Sequence, residues 1–302
     1  MNWLFVSDGK NEDFKTFLKT KFEKINFFDL DVSQNSNCKK EDLNKVLIEL
    51  SHFVEENKIS HCVFFGNPID FDKEFIFLYG FLCGKNIPIF LVQDFSSCLF
   101  KNVSIYKDLQ SFKDYVENNF NTIQNEFTKK EAFDFLYENG IPFDADNFAS
   151  CIVSGKKNIC EYYLKAGMSV NSRDRDGTPM LNVAARSDRL DFVQWLVEKG
   201  ADIKATSEDR GYTAIMDAVW RGNVEITHYL IKQGSDLNTI NKEGQSMLVL
   251  AVGANRTQIC KLLAENGANP DIPDSMGMSA YGYAKLFKKT EIADILEKYH
   301  KE

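Results

Sequence analysis

The sequence predicts a small open parallel α/β sheet followed by an all-α array of short repeats. In the first part, short apolar runs alternate with amphipathic segments at helical spacing, a pattern typical of parallel strands joined by helices. In the second part, glycines recur in two series about 33 residues apart, a period typical of helical repeats. These series are Gly167, Gly200, Gly234 and Gly267, and Gly177, Gly211, Gly244 and Gly277. Composition divides in the same way, because 23 of 25 Phe lie at or before Phe148.

Length, charge and cysteine usage narrow the class of protein. The 302 residues suffice for about two domains, and 36 basic against 44 acidic residues give a net charge of −8. That balance disfavours a nucleic-acid or anionic-membrane partner. Seven Cys without a C-x-x-C pair and four His favour reduced thiols, and we expect no metal site. The first apolar run lacks a basic flank and no run approaches the ~20 residues of a membrane span, so we expect a cytoplasmic protein.

About five strands are predicted in the first part of the chain, at 3–6, 25–32, 62–65, 87–92 and 103–106. Amphipathic helices are predicted between them, over about 14–22, 43–54, 73–85 and 108–120. The strands are continuously apolar rather than alternating, which indicates a parallel sheet covered on both faces.

Polar residues cluster where these strands end. Parallel sheets bind ligands outside the carboxyl ends of their strands, so these residues are candidate ligand contacts. Alternatively, they are turn formers, since turns favour the same residue types. No P-loop or dinucleotide fingerprint is present. The candidates are Ser7, Asp8, Gly9, Asp29, Asp31, Gly66, Asn67 and Asp72.

Two segments of this region resemble known families. Residues 4–14, LFVSDGKNEDF, resemble the first strand and loop of TIR-like domains, whose sheet is flavodoxin-like. Residues 76–85, IFLYGFLCGK, resemble the helix that carries their catalytic glutamate. The same helix and the following strand also resemble nucleoside 2-deoxyribosyltransferases. The resemblance covers about 1–120. It implies cleavage at an N-glycosidic bond, with NAD or a nucleoside as substrate, and self-association in the TIR-like case.

The expected glutamate is absent from the matching position. It falls on Leu78 in the TIR-like register and on Ile76 in the transferase register. Glu74 lies one helical turn earlier and is the candidate catalytic carboxylate; alternatively, it is an acid in the first turn of the helix. No Arg precedes Arg173, so an Arg fork for phosphate cannot come from this domain. We therefore expect a ligand-binding or degenerate domain rather than an active hydrolase, with no resident cofactor and with NAD or a nucleoside as the ligand of a binding domain.

The second part resembles the ankyrin family. Residues 176–180 (DGTPM), 211–215 (GYTAI) and 244–248 (GQSML) resemble the turn into the first helix of each ankyrin repeat. The resemblance covers about 128–302. It implies about four to five repeats whose terminal members are atypical because they face water. We expect one domain over 1–125 and the ankyrin domain over 126–302.

The ankyrin resemblance implies a protein partner bound on the concave face and the hairpin tips. Trp220 and Arg221 are the foremost candidates, since Trp and Arg anchor interfaces disproportionately; alternatively, Trp220 packs between repeats. The sequence thus predicts a protein-interaction module whose first domain binds a nucleotide-type ligand or self-associates. The alternative is a TIR-like NAD glycohydrolase or nucleoside N-glycosidase regulated through the repeats. The partner-binding candidates are Arg173, Arg175, Asn182, Arg186, Arg210, Asp217, Trp220 and Arg221.

Overall fold

The computed structural model describes residues 1–7, 12–21, 25–31, 51–65, 81–82, 85, 87–92 and 103–301. The chain forms two compact units, Met1–Phe127 and Thr128–Glu302.

A parallel sheet forms the first unit. Its strands are β1 (Asn2–Ser7), β2 (Asn26–Asp31), β3 (His61–Phe65), β4 (Ile89–Val92) and β5 (Val103–Tyr106). They pair in the order β2-β1-β3-β4-β5, each parallel to its neighbours. The predicted open parallel sheet is therefore confirmed. From β1 the chain first adds β2 on one side and then crosses to β3 on the other side of β1. The topological switch point therefore lies between the carboxyl ends of β1 and β3.

Alternate residues of the strands feed two separate cores, one on each face of the sheet. Leu4, Phe64 and Leu91 lie in one core, whereas Trp3 and Phe90 lie in the other. Helix α1 (Glu12–Lys21) contributes to the second core, as does the first part of α2 (Leu109–Glu138), which contains the boundary between the units. This two-faced burial explains why the strands are continuously apolar and confirms that prediction.

Five helix pairs form the repeat array of the second unit between residues 145 and 297. First helices pack beside first helices, and second helices from α6 onward beside second helices, which confirms the predicted helical repeats. The pairs are α3 (Ala145–Val153) with α4 (Lys157–Lys165), α5 (Met180–Arg186) with α6 (Leu190–Glu198), α7 (Ala214–Arg221) with α8 (Val224–Lys232), α9 (Met247–Gly253) with α10 (Thr257–Glu265), and α11 (Ala280–Leu286) with α12 (Thr290–Glu297).

Small residues allow the paired helices to approach closely. Ala184, Ala218, Ala251 and Ala284 recur at the repeat period and are fully buried in one continuous core. Between pairs, short hairpins project from the helices. Gly211, in one of these hairpins, has φ +69°, and a Cβ there would lie 3.1 Å from the backbone nitrogen of Lys242. Both the positive φ and the close approach require glycine at this position.

Candidate partner-binding surface

A buried polar network joins two consecutive first helices. Asn182 on α5 and Asp217 on α7 are 0% and 1% exposed. The Asn182 side-chain amide donates to Asp217 Oδ2 and to the carbonyl oxygen of Tyr212, both at 2.8 Å. Asn182 and Asp217 are partner-binding candidates from the sequence, but neither side chain is accessible to a partner in this structure. These side chains face each other between adjacent helices, where the hydrogen bonds offset the cost of burying polar groups.

Two arginines complete this network. Arg186 Nε donates to Asp217 Oδ1 at 3.0 Å, and Arg186 Nη2 donates to Asp209 Oδ1 at 3.0 Å. Arg210 Nη2 lies 3.7 Å from Asp217 Oδ1, with its guanidinium 4.6 Å from the ring of Tyr212. Both arginines are thus held in place by the fold. A partner would meet them as fixed charges rather than as mobile side chains.

The network shifts the pKa values of its two carboxyl groups, Asp217 and Asp209, in opposite directions. Burial raises the pKa of Asp217, and the neighbouring Arg186 charge offsets only part of that effect. Asp209 is partly buried, which alone would raise its pKa, but the hydrogen bond from Arg186 holds that pKa well below its usual range. Asp209 therefore remains ionised throughout the neutral range.

An open recess of about 510 Å³ lies beside the network. Its wall carries three carboxylates and one guanidinium, so the recess favours a cationic group over an anionic one. It is lined by Asp174, Asp176, Thr178, Val183, Arg186, Ser187 and Asp209.

Trp220 lies in the last turn of α7, and its side chain is 44% exposed. Its predicted exposure is confirmed, and it is not packed between repeats. Trp3 and Trp195, in contrast, are buried. Arg221 beside it is exposed, and the helix ends at Gly222 with φ +87°. A large aromatic side chain and a cation are therefore presented together at a fixed helix end.

The two hairpin arginines, Arg173 and Arg175, differ in how many contacts their side chains make within the protein. Arg173 Nη1 donates to the carbonyl oxygens of Gly177 and Thr206, each at 2.8 Å, and so links two successive hairpins. The side chain of Arg175 is 80% exposed and lies 4.0 Å from Asp176. Arg175 is therefore the more accessible candidate of the two.

Sequence reasoning missed Arg256 and Leu286 as surface residues. Arg256 Nη2 donates to the carbonyl oxygen of Trp220 at 3.3 Å, and Leu286 is 61% exposed at the end of α11. The 33-residue register could have found both. It aligns Leu286 with Gly253 and, 33 residues further back, with Trp220; it also aligns Arg256 with Arg189, a cation at the same place in an earlier repeat.

The candidate ligand site of the first unit is described only in part. Ser7 and Asp31 are register partners at the carboxyl ends of β1 and β2. Asp29 accepts a 2.6 Å hydrogen bond from Lys15 Nζ, and this lysine also bonds Glu12. Burial alone would lower the pKa of Lys15, but the carboxylates of Asp29 and Glu12 raise it above its usual value. The remaining candidates lie outside the described residues: Asp8, Gly9, Gly66, Asn67, Asp72 and Glu74.

Neither a metal-binding cluster nor a membrane-spanning helix is found among the described residues. In the part of the chain that the structure describes, no three His, Cys, Asp or Glu side chains are grouped so as to hold a metal ion. None of the helices described combines the length and the apolar character that crossing a membrane requires.

Comparison with known proteins places the repeats in a family. The family model for ankyrin repeats (three copies) matches residues 126–207, 147–241 and 215–301. A putative ankyrin repeat-containing protein of Treponema pallidum is 32% identical over 231 residues, which cover 74% of this chain and 77% of that protein. Ankyrin repeat and SAM domain-containing protein 6 of Rattus norvegicus is 39% identical over 97 residues, 32% of this chain and 11% of that protein.

The Treponema match is longer than the 175 residues of the second unit. It therefore includes part of the first unit, so that protein shares more than the repeats with this chain. The matched family covers 126–301 without a gap, and the five helix pairs between residues 145 and 297 lie within this range. The chain belongs to the ankyrin-repeat family.

Proposed function

We propose that this protein binds a protein partner on the surface around Trp220 and Arg221. The ankyrin architecture supports a protein-interaction role in general. The observation that favours this place is Trp220 itself, an indole 44% exposed on a helix packed between two neighbouring first helices. Exposed Trp and Arg side chains carry a disproportionate share of interface energy, and α7 loses little conformational entropy when these side chains are covered.

Substitution of the two side chains tests this proposal. A partner captured by the whole protein from a lysate of its source cells is identified, purified and titrated by calorimetry against each variant. Trp220→Ala is expected to weaken binding by about 2 kcal/mol, and Arg221→Ala by about 1 kcal/mol. Lys199→Ala is the control, because Lys199 is exposed at the far end of a second helix. Binding by both variants within twofold of the wild type would refute the proposal.

We further propose that the first unit binds a nucleotide-type ligand or mediates self-association. In support, Ser7 and Asp31 are backbone register partners at the carboxyl ends of neighbouring strands, beside the topological switch point. The resemblance of residues 4–14 and 76–85 to TIR-like domains adds the class of ligand. Calorimetry with NAD and with nucleosides tests binding, and sedimentation over a range of concentrations tests association. This part of the proposal would be refuted if calorimetry detected no heat of binding and sedimentation detected no change of mass with concentration.

An enzymatic function is the alternative for the first unit. The resemblance implies a TIR-like NAD glycohydrolase or a nucleoside N-glycosidase, with Glu74 as the carboxylate that stabilises the transition state. Turnover of NAD or a nucleoside by the purified protein, abolished in Glu74→Gln, would establish this activity. Binding without turnover would instead support a ligand-binding domain.

A further inference from the structure

One row of positions along the first helices combines two apolar side chains with a glycine. Trp220 on α7, Gly253 on α9 and Leu286 on α11 lie 33 residues apart, on helices that pack side by side. Trp220 and Leu286 are 44% and 61% exposed. Gly253 has no side chain, and a Cβ built there would meet nothing within 4 Å. The row therefore forms a trough with an apolar wall on each side and Gly253 as its floor, called here the Gly253 trough.

The size of the trough suits a peptide. Packed helices lie about 8–10 Å apart, so its walls are roughly 16–20 Å apart. An α-helix with its side chains is about 10–12 Å wide and would fit between them. An extended segment of about five residues would span the same distance. Phe287, 56% exposed and stacked on Tyr283 at 5.5 Å, extends the apolar wall formed by Leu286.

The rim of the trough is basic although the whole chain carries a net charge of −8. In the turns that follow α7, α9 and α11, including the adjoining helix ends (219–225, 252–258 and 285–291), five cations stand against two carboxylates. The cations are Arg221, Arg256, Lys285, Lys288 and Lys289, and the carboxylates are Glu225 and Glu291.

Two of the rim cations are anchored on the backbone of the preceding repeat. Arg256 bonds the carbonyl oxygen of Trp220, and Lys289 Nζ donates to the carbonyl oxygen of Val252 at 2.5 Å. These bonds satisfy helix C-terminal carbonyls, and among the described residues no carboxylate pairs with either cation. Lys285 is paired, its Nζ lying 4.0 Å from Glu297 Oε1, whereas the structure describes no ion pair for Arg221 or Lys288. A positive potential therefore persists around the apolar floor.

We propose that the Gly253 trough binds an acidic peptide segment of a partner protein. A large apolar side chain of the peptide lies over Gly253 between Trp220 and Leu286, and its Asp or Glu residues face Arg221 and Lys288. This inference rests on the proposed partner-binding function and adds the chemistry of the partner. An apolar floor suits a peptide better than a nucleic acid, whose phosphates need a continuous track of cations.

Selection from a random peptide display library on the immobilised whole protein tests this proposal. Peptides that bind the wild type are then titrated against Gly253→Phe, which fills the floor at a helical position with open space. We expect peptides that Gly253→Phe weakens at least about tenfold, and we expect these peptides to combine several Asp or Glu with a large apolar residue. Binding of these peptides should shift the fluorescence emission of the exposed Trp220 to the blue. Trp3 and Trp195 are buried, so their emission should not change.

Charge reversal isolates the basic rim. The double variant Arg221→Glu with Lys288→Glu should weaken the selected peptides at least about tenfold, and added salt should weaken wild-type binding. The control Lys199→Glu with Lys232→Glu makes the same change of net charge at the far ends of second helices, where both lysines are exposed. It should change binding less than about twofold. Thermal melts confirm that all variants remain folded.

The outcomes separate this inference from the proposed function. If no peptide responds to Gly253→Phe, or if the responsive peptides are neutral or basic, the inference is overturned. A natural partner that depends on Trp220 but ignores Gly253→Phe would also overturn it, while leaving the proposed function intact. A polyuridylate oligonucleotide that shifts Trp220 emission more strongly than the selected peptides would assign the trough to nucleic acid instead.

Discussion

The buried carboxylate of Asp217 should be the most sensitive polar position of the repeat array. Substitution Asp217→Leu leaves two hydrogen-bond donors without their acceptor, the amide of Asn182 and Nε of Arg186. Each buried donor left unsatisfied costs about 1–3 kcal/mol. Arg186 keeps its bond to Asp209 and is 20% exposed, so its guanidinium can turn partly to water. We therefore expect a total loss of about 2–3 kcal/mol in the free energy of unfolding.

Thermal and urea unfolding of the whole protein, followed by circular dichroism at the helical band, measures this loss. For a unit of 175 residues, it corresponds to a fall in Tm of about 4–12 °C. The matched control is Asp191→Asn, which removes an exposed carboxylate 3.4 Å from Arg189 and should cost less than about 0.5 kcal/mol.

A second substitution tests the assigned cause. Arg186→Met combined with Asp217→Leu removes the stranded guanidinium together with its acceptor. It should recover part of the loss, about 0.5–1 kcal/mol, because removing a buried pair costs less than breaking it. The Asn182 amide stays without its acceptor in both variants. If Asp217→Leu were no more destabilising than Asp191→Asn, or if the double variant lost the sum of the two single effects, the reasoning would fail.

Three further predictions concern pH, thiols and a hairpin glycine. The pKa of Asp209 is lowered in the folded state, so its stabilisation is present above about pH 4, the unfolded pKa, and is lost as pH falls. The Tm of Asp209→Asn should therefore decline less steeply in acid than that of the wild type. The pKa of Asp217 is raised, so protonation of Asp217 in acid favours the folded state, and Asp217→Leu should make the decline of Tm steeper. Burial raises the pKa of Cys160 and of Cys260 to about 12 each, so iodoacetamide at pH 8 should modify them only after unfolding, as mass spectrometry would show. Gly211→Ala should destabilise by about 1–3 kcal/mol in urea, through its positive φ and the contact with the next hairpin.

The repeats were predictable because each one imposes local requirements on the sequence. Each hairpin needs a residue with positive φ, as at Gly177 and Gly211, and glycine adopts this conformation without steric cost whatever its surroundings. The exposure of Trp220 also had a local signal, since Arg-Gly-Asn follows it at a helix end. Trp195, in contrast, sits within the apolar pattern of Phe192 and Leu196.

The pairing of Asn182 with Asp217 had no such local signal. The repeat register places both residues on the first-helix side of the array, and polar residues on that side are expected to face a partner. Their burial depends on a hydrogen bond between residues 35 positions apart, which only the packing of two helices brings about. In the first unit, continuous apolar runs predicted the strands, but the residues that follow β1 and β3 are turn formers in any open sheet. Their pattern alone therefore could not separate a ligand site from a set of turns.

The network and the exposed tryptophan share one helix, which decides how binding experiments should be interpreted. Asp217 and Trp220 are three residues apart on α7, so they are neighbours along its surface, one facing α5 and the other facing solvent. An Asp217 variant that loosens α7 would also move Trp220, and its loss of partner binding would report stability rather than contact. Trp220→Ala removes a half-exposed side chain to which no buried polar group is bonded in the described part of the chain, so its Tm should stay within about 2 °C of the wild type. A loss of binding in Trp220→Ala at unchanged Tm therefore identifies contact, whereas a fall in Tm as large as that of Asp217→Leu would show that the two roles of α7 cannot be separated by mutation.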